Sequence, residues 1–411
     1  MLRVQSQLPR FCPSDSSPPS KGSFVNSASR ERDLLPDVLR GFALFGIILV
    51  NVSFFSHSTG EGVRGSDVEG LGNSLAAFVM TALFQGKFYL LFSFLFGYSS
   101  YYITRGEKSR RSRFALRSFL LVALGALHFT FLWHGDILFT YGLFGLVLLA
   151  FLFRRDRTLK IWSWVLWGLS AFVLVSVSLL SWLGEVFGES IEPLASPLDP
   201  VMRGGSFADA ILPRVELWAT AISGALLLQA GLVLGAFLVG VLAARHGLLG
   251  SHSSDLRIRT MMVWGFGLGL PLQLLAAGLY VSNELSPETS EAVYLGSISL
   301  GFATAPLLSM GYLGALMVLL RVKPVVVSWM RYPGRASLTN YLLQSVALSM
   351  IFGPWGLGLF QAVDYGIAVL IAAAVYVLLA GASALWFRRF DQGPMERLMA
   401  ALTRKQREPS L

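Results

Sequence analysis

Charged residues are scarce in this sequence of 411 residues, since Asp, Glu, Lys and Arg make up 14% of it while 54% is hydrophobic. A soluble domain carries roughly 25% charged residues. Because a water-soluble fold could not hide this much apolar surface, a lipid bilayer must solvate it. The net charge of +9 is spread over many short segments and is not gathered on one face, which argues against nucleic acid as a partner.

Cysteine is almost absent, since Cys12 is the only one. A disulfide within one chain and a cysteine-based metal site are therefore excluded. The five histidines are scattered, so we predict neither a metal site nor a tightly bound cofactor. The Walker loop, the HExxH helix and the Gly-x-Ser-x-Gly elbow are absent as well, which argues against the enzyme classes that depend on them.

Long apolar runs dominate what is present, and each is long enough to approach the roughly 20 residues that cross a bilayer. The ten runs are 38–56, 75–103, 116–134, 136–153, 161–183, 218–244, 260–282, 293–320, 337–353 and 366–387. The sequence therefore predicts an all-α polytopic transmembrane helix bundle with about ten spans. Gln85, Gly86 and Lys87 interrupt the second run, so we expect a kink or a short re-entrant piece there.

Basic residues mark one side of this bundle. Of the 33 Lys and Arg, 29 fall in one alternating set of segments at the ends of the runs, namely 1–40, 104–117, 154–160, 245–259, 321–335 and 388–411; the exceptions are Arg64, Lys87, Arg203 and Arg214. By the positive-inside rule we expect both termini in the cytoplasm. The predicted regions are a disordered cytoplasmic tail at 1–30, the helix bundle at 31–388 with an outer loop at about 184–217, and a cytoplasmic amphipathic tail on the membrane surface at 389–411.

Polar residues inside the apolar runs are the candidate functional residues, because lipid solvates them poorly. At 100° per residue, Asp37, Arg40 and Asn51 share one face of the first helix, with Asn51 roughly 16 Å beyond Arg40. Asp37 and Arg40 have the spacing of an interfacial salt bridge, which is the alternative to a functional role for this pair. For Asn51 the alternative to a functional role is an interhelical hydrogen bond.

His128 lies eleven residues past Arg117, which predicts the same depth as Asn51. An ionisable group at that depth is usually functional, and a neutral histidine bonded across helices is the alternative. Asp136 is expected near the outer boundary, either as a helix cap or as a catalytic group. Lys87 is expected at a similar depth, and we predict a Lys87–Asp136 ion pair.

A polar stripe runs along the ninth apolar run, formed by Ser337, Asn340, Tyr341 and Gln344. Such a stripe faces protein or a wet cavity and not lipid. We therefore expect Asn340 to meet Asn51, His128 and Asp136 at one site.

Several of these segments together resemble the YeiB-like family of bacterial inner-membrane proteins. The matching segments are 37–51, 87–88 with 91–97, 125–128 with 135–138, 334–335 with 338–345, and 393–396. The likeness covers about residues 33–403. It implies a multi-pass protein of the cell (inner) membrane and no particular activity, because the family is largely uncharacterised.

The first helix also resembles, more distantly, the heparan-glucosaminide N-acetyltransferase group, through Asp-x-x-Arg-Gly at 37–41 and Val-Asn at 50–51. Those enzymes carry acetyl from cytoplasmic acetyl-CoA to an acceptor sugar across the membrane. The resemblance implies Asn51 as the matching asparagine. It leaves His57 as the candidate for the catalytic histidine, at a shorter spacing than in the group, with His128 as the alternative base.

Two functional hypotheses follow. In a membrane acyltransferase, an inner basic mouth would bind the phosphates of an acyl-CoA co-substrate, Asn51 would donate to the oxyanion, and His128 or His57 would act as general base. Asp136 would orient the acceptor or the histidine. The inner mouth comprises Arg40, Arg113, Arg117 and Arg335, and the expected substrate-binding residues are Asp37, Arg40, Lys87, Arg335, Asn340 and Gln344.

The alternative is a transporter or flippase for a small polar or lipid-linked solute, which ten spans, a broken second helix and a midplane histidine would fit. A structural partner subunit is a third hypothesis. The expected partners are the lipid bilayer and a small-molecule substrate, and a homo-oligomer is left open.

Overall fold

The computed structural model describes residues 34–58, 64, 68–188, 196–224, 229–250 and 253–403, and no β-strand occurs among them. Seven of the described helices are long and apolar enough to cross a membrane, and two shorter apolar helices accompany them. The predicted all-α polytopic membrane bundle is confirmed. The count of ten spans and the cytoplasmic termini stay predictions, and the tail at 1–30 lies outside the described residues together with 404–411.

The helices of the first half of the chain are α1 Leu34–Asn51, α2 Ser53–Ser56, α3 Leu71–Val79, α4 Lys87–Thr104, α5 Arg111–Phe131, α6 Leu138–Leu148, α7 Asp156–Val186, α8 Asp199–Gly204 and α9 Ile211–Gly224. Those of the second half are α10 Ala230–Arg245, α11 Asp255–Trp264, α12 Leu270–Glu284, α13 Glu291–Val322, α14 Pro324–Val327, α15 Arg331–Arg335, α16 Ser337–Phe352, α17 Tyr365–Trp386 and α18 Pro394–Thr403. The predicted sixth span corresponds to α9 and α10.

The interruption predicted in the second run is present. A π-helical turn, Met80–Phe84, follows α3, and α4 begins at Lys87. Gly86 between them has φ +83°, which glycine adopts without the strain of a side chain. A second π-helical turn, Gly265–Gly269, joins α11 to α12 just before Pro271, which lacks the N–H that a regular helix would direct at the Gly267 carbonyl.

Helices α5 and α6 form a shallow hairpin. Helix α6 has 11 residues and is therefore roughly 16 Å long, about half of the 30 Å hydrocarbon core. Tyr341, in the second turn of α16, reaches the hairpin turn, since its hydroxyl accepts the Ile137 N–H at 3.2 Å. The position of Asp136 near the outer boundary stays a prediction.

Glycines allow the central helices to pack backbone against backbone. A Cβ at Gly97 of α4 would clash with the Phe237 carbonyl of α10, and one at Gly240 of α10 would clash with the Phe94 carbonyl of α4. Close approach at small residues is a common way for helices to associate in a bilayer, where burial of apolar side chains gives no driving force. These contacts hold α4 against α10.

The amphipathic tail helix predicted near the C-terminus is α18, and it packs against the bundle. The Glu396 carboxylate accepts the N–H groups of Leu338 at 2.7 Å and Thr339 at 3.3 Å, and the Thr339 hydroxyl at 2.7 Å. The same hydroxyl accepts the Met395 N–H at 3.1 Å. Glu396 therefore caps the first turn of α16, where helices leave N–H groups without partners.

Candidate functional site

His128 and Asp136 form a buried pair at the α5–α6 turn. His128 Nδ1 lies 2.7 Å from Asp136 Oδ2, and the two side chains are 1% and 0% exposed. The other oxygen, Oδ1, accepts the Phe139 N–H at 2.7 Å. Asp136 thus caps the first turn of α6 and is at the same time the partner of His128, and its catalytic role stays a prediction.

The pair leaves one imidazole nitrogen open to chemistry. An N–H at Nδ1 that donates to the carboxylate makes Nε2 the basic nitrogen of a neutral ring. His128 Nε2 is buried and has no hydrogen-bond partner within the described part of the chain. A buried polar atom without a partner is rare and calls for an explanation such as a catalytic role or a bound molecule.

Two neighbours hold this pair in place. A Cβ at Gly125 would clash with the Phe139 backbone nitrogen and lie 2.6 Å from Asp136 Oδ1, so only glycine lets α6 approach α5 here. The Tyr341 ring lies 5.2 Å from the His128 ring, centroid to centroid. The sequence pattern places Tyr341 on the polar stripe and carries no signal that assigns it to the site.

The predicted Lys87–Asp136 ion pair is wrong. Lys87 is fully buried, and its Nζ donates to the Thr81 carbonyl at 2.6 Å. Thr81 lies in the π-helical turn, so the ammonium folds back over the break in its own helix while the Asp136 carboxylate is occupied by His128 and Phe139.

A cavity of about 650 Å³ opens beside the pair, within the range of small-molecule sites. Asn51 and Asp136 both line it, so the structure brings together the first helix and the hairpin turn as predicted. Most of its wall is apolar and aromatic; the aromatic residues are Phe54, Phe84, Phe88, Tyr89, Phe129, Trp133, Phe139, Tyr141, Trp218 and Phe302. The Tyr89 hydroxyl is buried without a partner among the described residues.

Helix α9 covers the hairpin from its outer side. The Trp218 ring packs on Phe129 at 4.3 Å and on Phe139 at 4.9 Å. Arg214, which is 2% exposed, donates to the Phe131 carbonyl at 3.0 Å, where the last carbonyls of α5 attract a cation. Burial lowers the pKa of Arg214 to about 10, so it stays charged at neutral pH. In the sequence, Arg214 differs from most other basic residues only because it lies outside the segments that form the predicted basic side.

His134 lines the same cavity as Asp136. Its ring packs edge-on against Phe54, with the ring centroids 6.4 Å apart, and lies 6.3 Å from the Trp133 ring. These aromatic contacts hold the imidazole at the cavity wall, where it can offer a hydrogen bond to a ligand.

His57 lies away from this cavity. Its Nδ1 is 2.7 Å from the Ser56 hydroxyl, and its ring packs edge-on against Tyr365 at 5.8 Å. Burial lowers the pKa of His57 to about 4, against a smaller opposing effect of Asp364. The structure therefore sets His57 against the start of α17. Of the other two histidines of this region, His134 lines the cavity and His128 reaches it only through its partner Asp136.

The basic inner mouth is assembled in part. Arg40 pairs with Asp37 at 2.8 Å, as the spacing predicts, and donates to the Ser99 hydroxyl at 2.6 Å. Arg117 lies in the electrostatic field of Arg40, Arg113 and Glu396. Arg335 is held apart from these contacts, since it donates to the Asp391 carbonyl at 2.9 Å and its guanidinium lies 4.2 Å from the Phe387 ring centroid.

Asn340 and Gln344 join helices and do not line the cavity. The Asn340 amide donates to the Ala336 carbonyl and to the Ser383 hydroxyl, both at 2.9 Å. The Gln344 amide donates to the Leu44 carbonyl at 3.4 Å. The polar stripe therefore faces protein, as predicted, while the expected meeting of Asn340 with Asn51, His128 and Asp136 is not observed.

The chain is similar to several known proteins. Residues 243–406 match the model of the family described as Protein of unknown function (DUF418). The chain is similar to Uncharacterized protein YxaH of Bacillus subtilis (strain 168), at 28% identity over 404 residues, covering 93% of this chain and 96% of that protein. It is also similar to Uncharacterized protein YeiB of Escherichia coli (strain K12), at 27% identity over 415 residues, covering 93% of this chain and 98% of that protein.

These relatives are matched over nearly their whole length, and the range that matches the family model includes α16 and α18, two of the helices whose motifs show the resemblance. The comparisons thus confirm the predicted resemblance to YeiB-like proteins, and the helical bundle is that of an integral membrane protein.

Proposed function

We propose that the protein is a membrane acyltransferase in which His128 is the general base, with acyl-CoA as donor and an extracytoplasmic hydroxyl or amine as acceptor. One observation carries the proposal: the buried His128–Asp136 pair leaves Nε2 without a partner among the described residues, and Asp136 of this pair lines a cavity that Asn51 also lines. A histidine oriented by a carboxylate is a recurrent arrangement for proton transfer in acyl-transfer enzymes.

The chemistry balances with these groups. The acceptor oxygen or nitrogen attacks the thioester carbonyl while its proton passes to His128 Nε2, and the carbonyl oxygen becomes an oxyanion to which the Asn51 amide donates. The C–S bond then breaks, and the imidazolium returns the proton to the CoA thiolate. Because His128 is 2% exposed, the proton reaches it through one bridging water or after a wall side chain moves.

In this proposal the inner basic mouth binds the acyl-CoA donor. Arg40 and Arg117 are close neighbours there, and guanidinium groups bind phosphate in a bidentate manner. Asn51 lies roughly 16 Å further along α1. An extended thioester arm bound by its phosphates at Arg40 would therefore carry the acyl carbonyl towards the level of the cavity.

The test is transfer of radiolabelled acetyl from acetyl-CoA inside proteoliposomes to a panel of amino sugars and polyols outside. Wild-type protein should transfer label, and His128→Ala should lower the rate at least 100-fold, about the typical contribution of a general base. His57→Ala is the matched control and should keep the rate, since His57 lies off the cavity. A transfer rate in His128→Ala equal to that of wild type would contradict the proposal. Arg40→Ala should weaken the binding of acetyl-CoA, which calorimetry measures.

A transporter or flippase is the second candidate, and the helix breaks favour it. The π-helical turn at Met80–Phe84 and the left-handed Gly86 interrupt a membrane element beside the cavity, as in transporters with discontinuous helices. Counterflow of an unmodified amino sugar or polyol in proteoliposomes without acyl-CoA would support this function. Product formation that requires acyl-CoA would count against it.

A further inference from the structure

A second cavity, of about 640 Å³, lies between α11 with its following π-helical turn and the end of α13. Its wall is apolar and includes Met262, Val263, Phe266 and Val318. Val263 is 57% exposed, so the groove opens on the apolar surface that a bilayer covers. This groove shares no lining residue with the cavity at the α5–α6 hairpin.

The two helices bring basic groups to one end of the groove. Arg259 and Arg321 both line it. Arg321 is fixed by an ion pair with Asp255 at 2.8 Å and by the Ser253 carbonyl at 2.7 Å. With neighbouring Lys323, three basic residues stand against Asp255 at this end, whereas Arg257 of the same helix does not line the groove. The groove therefore joins a cationic rim on the basic side to an apolar channel that runs into the membrane.

We infer that this groove binds one anionic phospholipid, with its phosphate at Arg259 and Arg321 and one acyl chain along Met262, Phe266 and Val318. Basic pockets between membrane helices on the cytoplasmic side suit anionic headgroups. A soluble anion would leave the apolar channel empty, and a zwitterionic lipid would fill the channel without satisfying the rim. The charge of the rim and the apolar channel together therefore select an anionic lipid.

The groove has a position where it can be filled without disturbing the protein. Gly267 lines it, and a Cβ there would meet nothing within 4 Å. A Cβ at Gly278 of α12 would likewise meet nothing within 4 Å, and Gly278 does not line the groove. Gly267→Phe and Gly278→Phe are therefore a matched pair of variants that differ in whether the new ring competes with an acyl chain.

The experiment titrates purified, delipidated full-length protein in detergent with phosphatidylglycerol or phosphatidylcholine and counts bound lipids by native mass spectrometry. Wild type should retain phosphatidylglycerol in preference to phosphatidylcholine. Arg259→Ala should weaken phosphatidylglycerol binding about fivefold, the effect of one basic residue near an anionic surface, while Arg259→Lys keeps most of it. Arg257→Ala is the control on the same helix.

The variants Gly267→Phe and Gly278→Phe test the binding of the acyl chain independently of the binding of the headgroup. Gly267→Phe should lower retention of phosphatidylglycerol, and Gly278→Phe should leave it at the wild-type value. Any one of three results would overturn the inference. Wild type could retain the two lipids equally, Arg259→Ala and Arg257→Ala could lose phosphatidylglycerol equally, or Gly267→Phe could retain as much of it as wild type. A melting curve of each variant, compared with wild type, identifies any variant that fails to fold, and Arg259→Lys then serves as the folded test of the rim.

Discussion

Asp136 makes two contacts that do not compete, because one carboxylate oxygen binds His128 and the other binds the Phe139 N–H. These two contacts fix the orientation of the Asp136 carboxylate in the absence of any substrate. The imidazole is therefore held in one orientation in the resting protein, which is the preorganisation that proton transfer needs. The arrangement depends on Gly125, since any larger residue would push α6 away from α5.

Gly125→Ala should destabilise the protein by about 1–3 kcal/mol, the usual cost of overpacking a closely packed contact, because the new Cβ meets the Phe139 backbone and not a flexible side chain. Gly168→Ala is the matched control within α7, where a Cβ meets nothing within 4 Å. That variant should be as stable as wild type or more stable by about 0.5–1 kcal/mol. Thermal unfolding in detergent measures both, and equal stability of the two variants would contradict the expected clash.

His57 should make the protein less stable in acid. Its pKa is lowered by burial from 6.5 to about 4, so the unfolded chain binds a proton at His57 more readily than the folded protein does. The contribution is fully present above the unfolded pKa of 6.5 and is lost as the pH falls towards 4. His57→Gln, which keeps an amide for the Ser56 hydroxyl, should show a smaller fall in melting temperature between about pH 7.5 and pH 5. Parallel pH profiles for wild type and variant would refute this assignment.

Among the helices, α16 links α18 to the α5–α6 hairpin. Its first turn is capped by Glu396 from α18, and Tyr341 in its second turn contacts the hairpin that carries the His128–Asp136 pair. The segments 334–345 and 393–396, which are far apart in the chain, thus form one joint at the basic end of the bundle. Helix α18 is part of this joint, and its place on the membrane surface stays a prediction.

Glu396→Gln should destabilise the protein by about 1 kcal/mol, because it removes the negative charge that accepts the N–H groups of Leu338 and Thr339. Glu396→Ala, which also removes the acceptor atoms, should cost more. Glu288→Gln is the control for loss of an exposed carboxylate. Chemical or thermal unfolding in detergent measures the difference, and an effect no larger than that of Glu288→Gln would show that the cap adds no stability.

For the molecule as a whole, the charge pattern and the helical bundle predict an orientation in the membrane. In a Cys12→Ser background, Glu288→Cys should react with a membrane-impermeant maleimide on intact cells, because the segment between α12 and α13 is on the side poor in basic residues. Lys160→Cys, at the start of α7, should react only after the membrane is permeabilised. The reverse pattern of labelling would invert the orientation.

Composition and helical periodicity are enough to establish the class of protein. Scarce charge and long apolar runs require a bilayer, and the constant rise and rotation of a helix predict Asn51 on the face of Arg40 and at the depth of His128. The Asp37–Arg40 pair and the break before Lys87 were predictable for the same reason, since each depends on residues within one or two turns of the same chain segment.

Which buried groups meet could be learned only from the packed helices. Asp136 pairs with His128 and not with Lys87, His57 lies against Tyr365, and Glu396 accepts the N–H of Leu338, 58 residues earlier in the chain. These outcomes depend on how close two helices come and at what relative height, which close contacts such as those at Gly125 and Gly240 set. Periodicity along one helix fixes the face of a residue, but it carries no information about the helix that packs on that face.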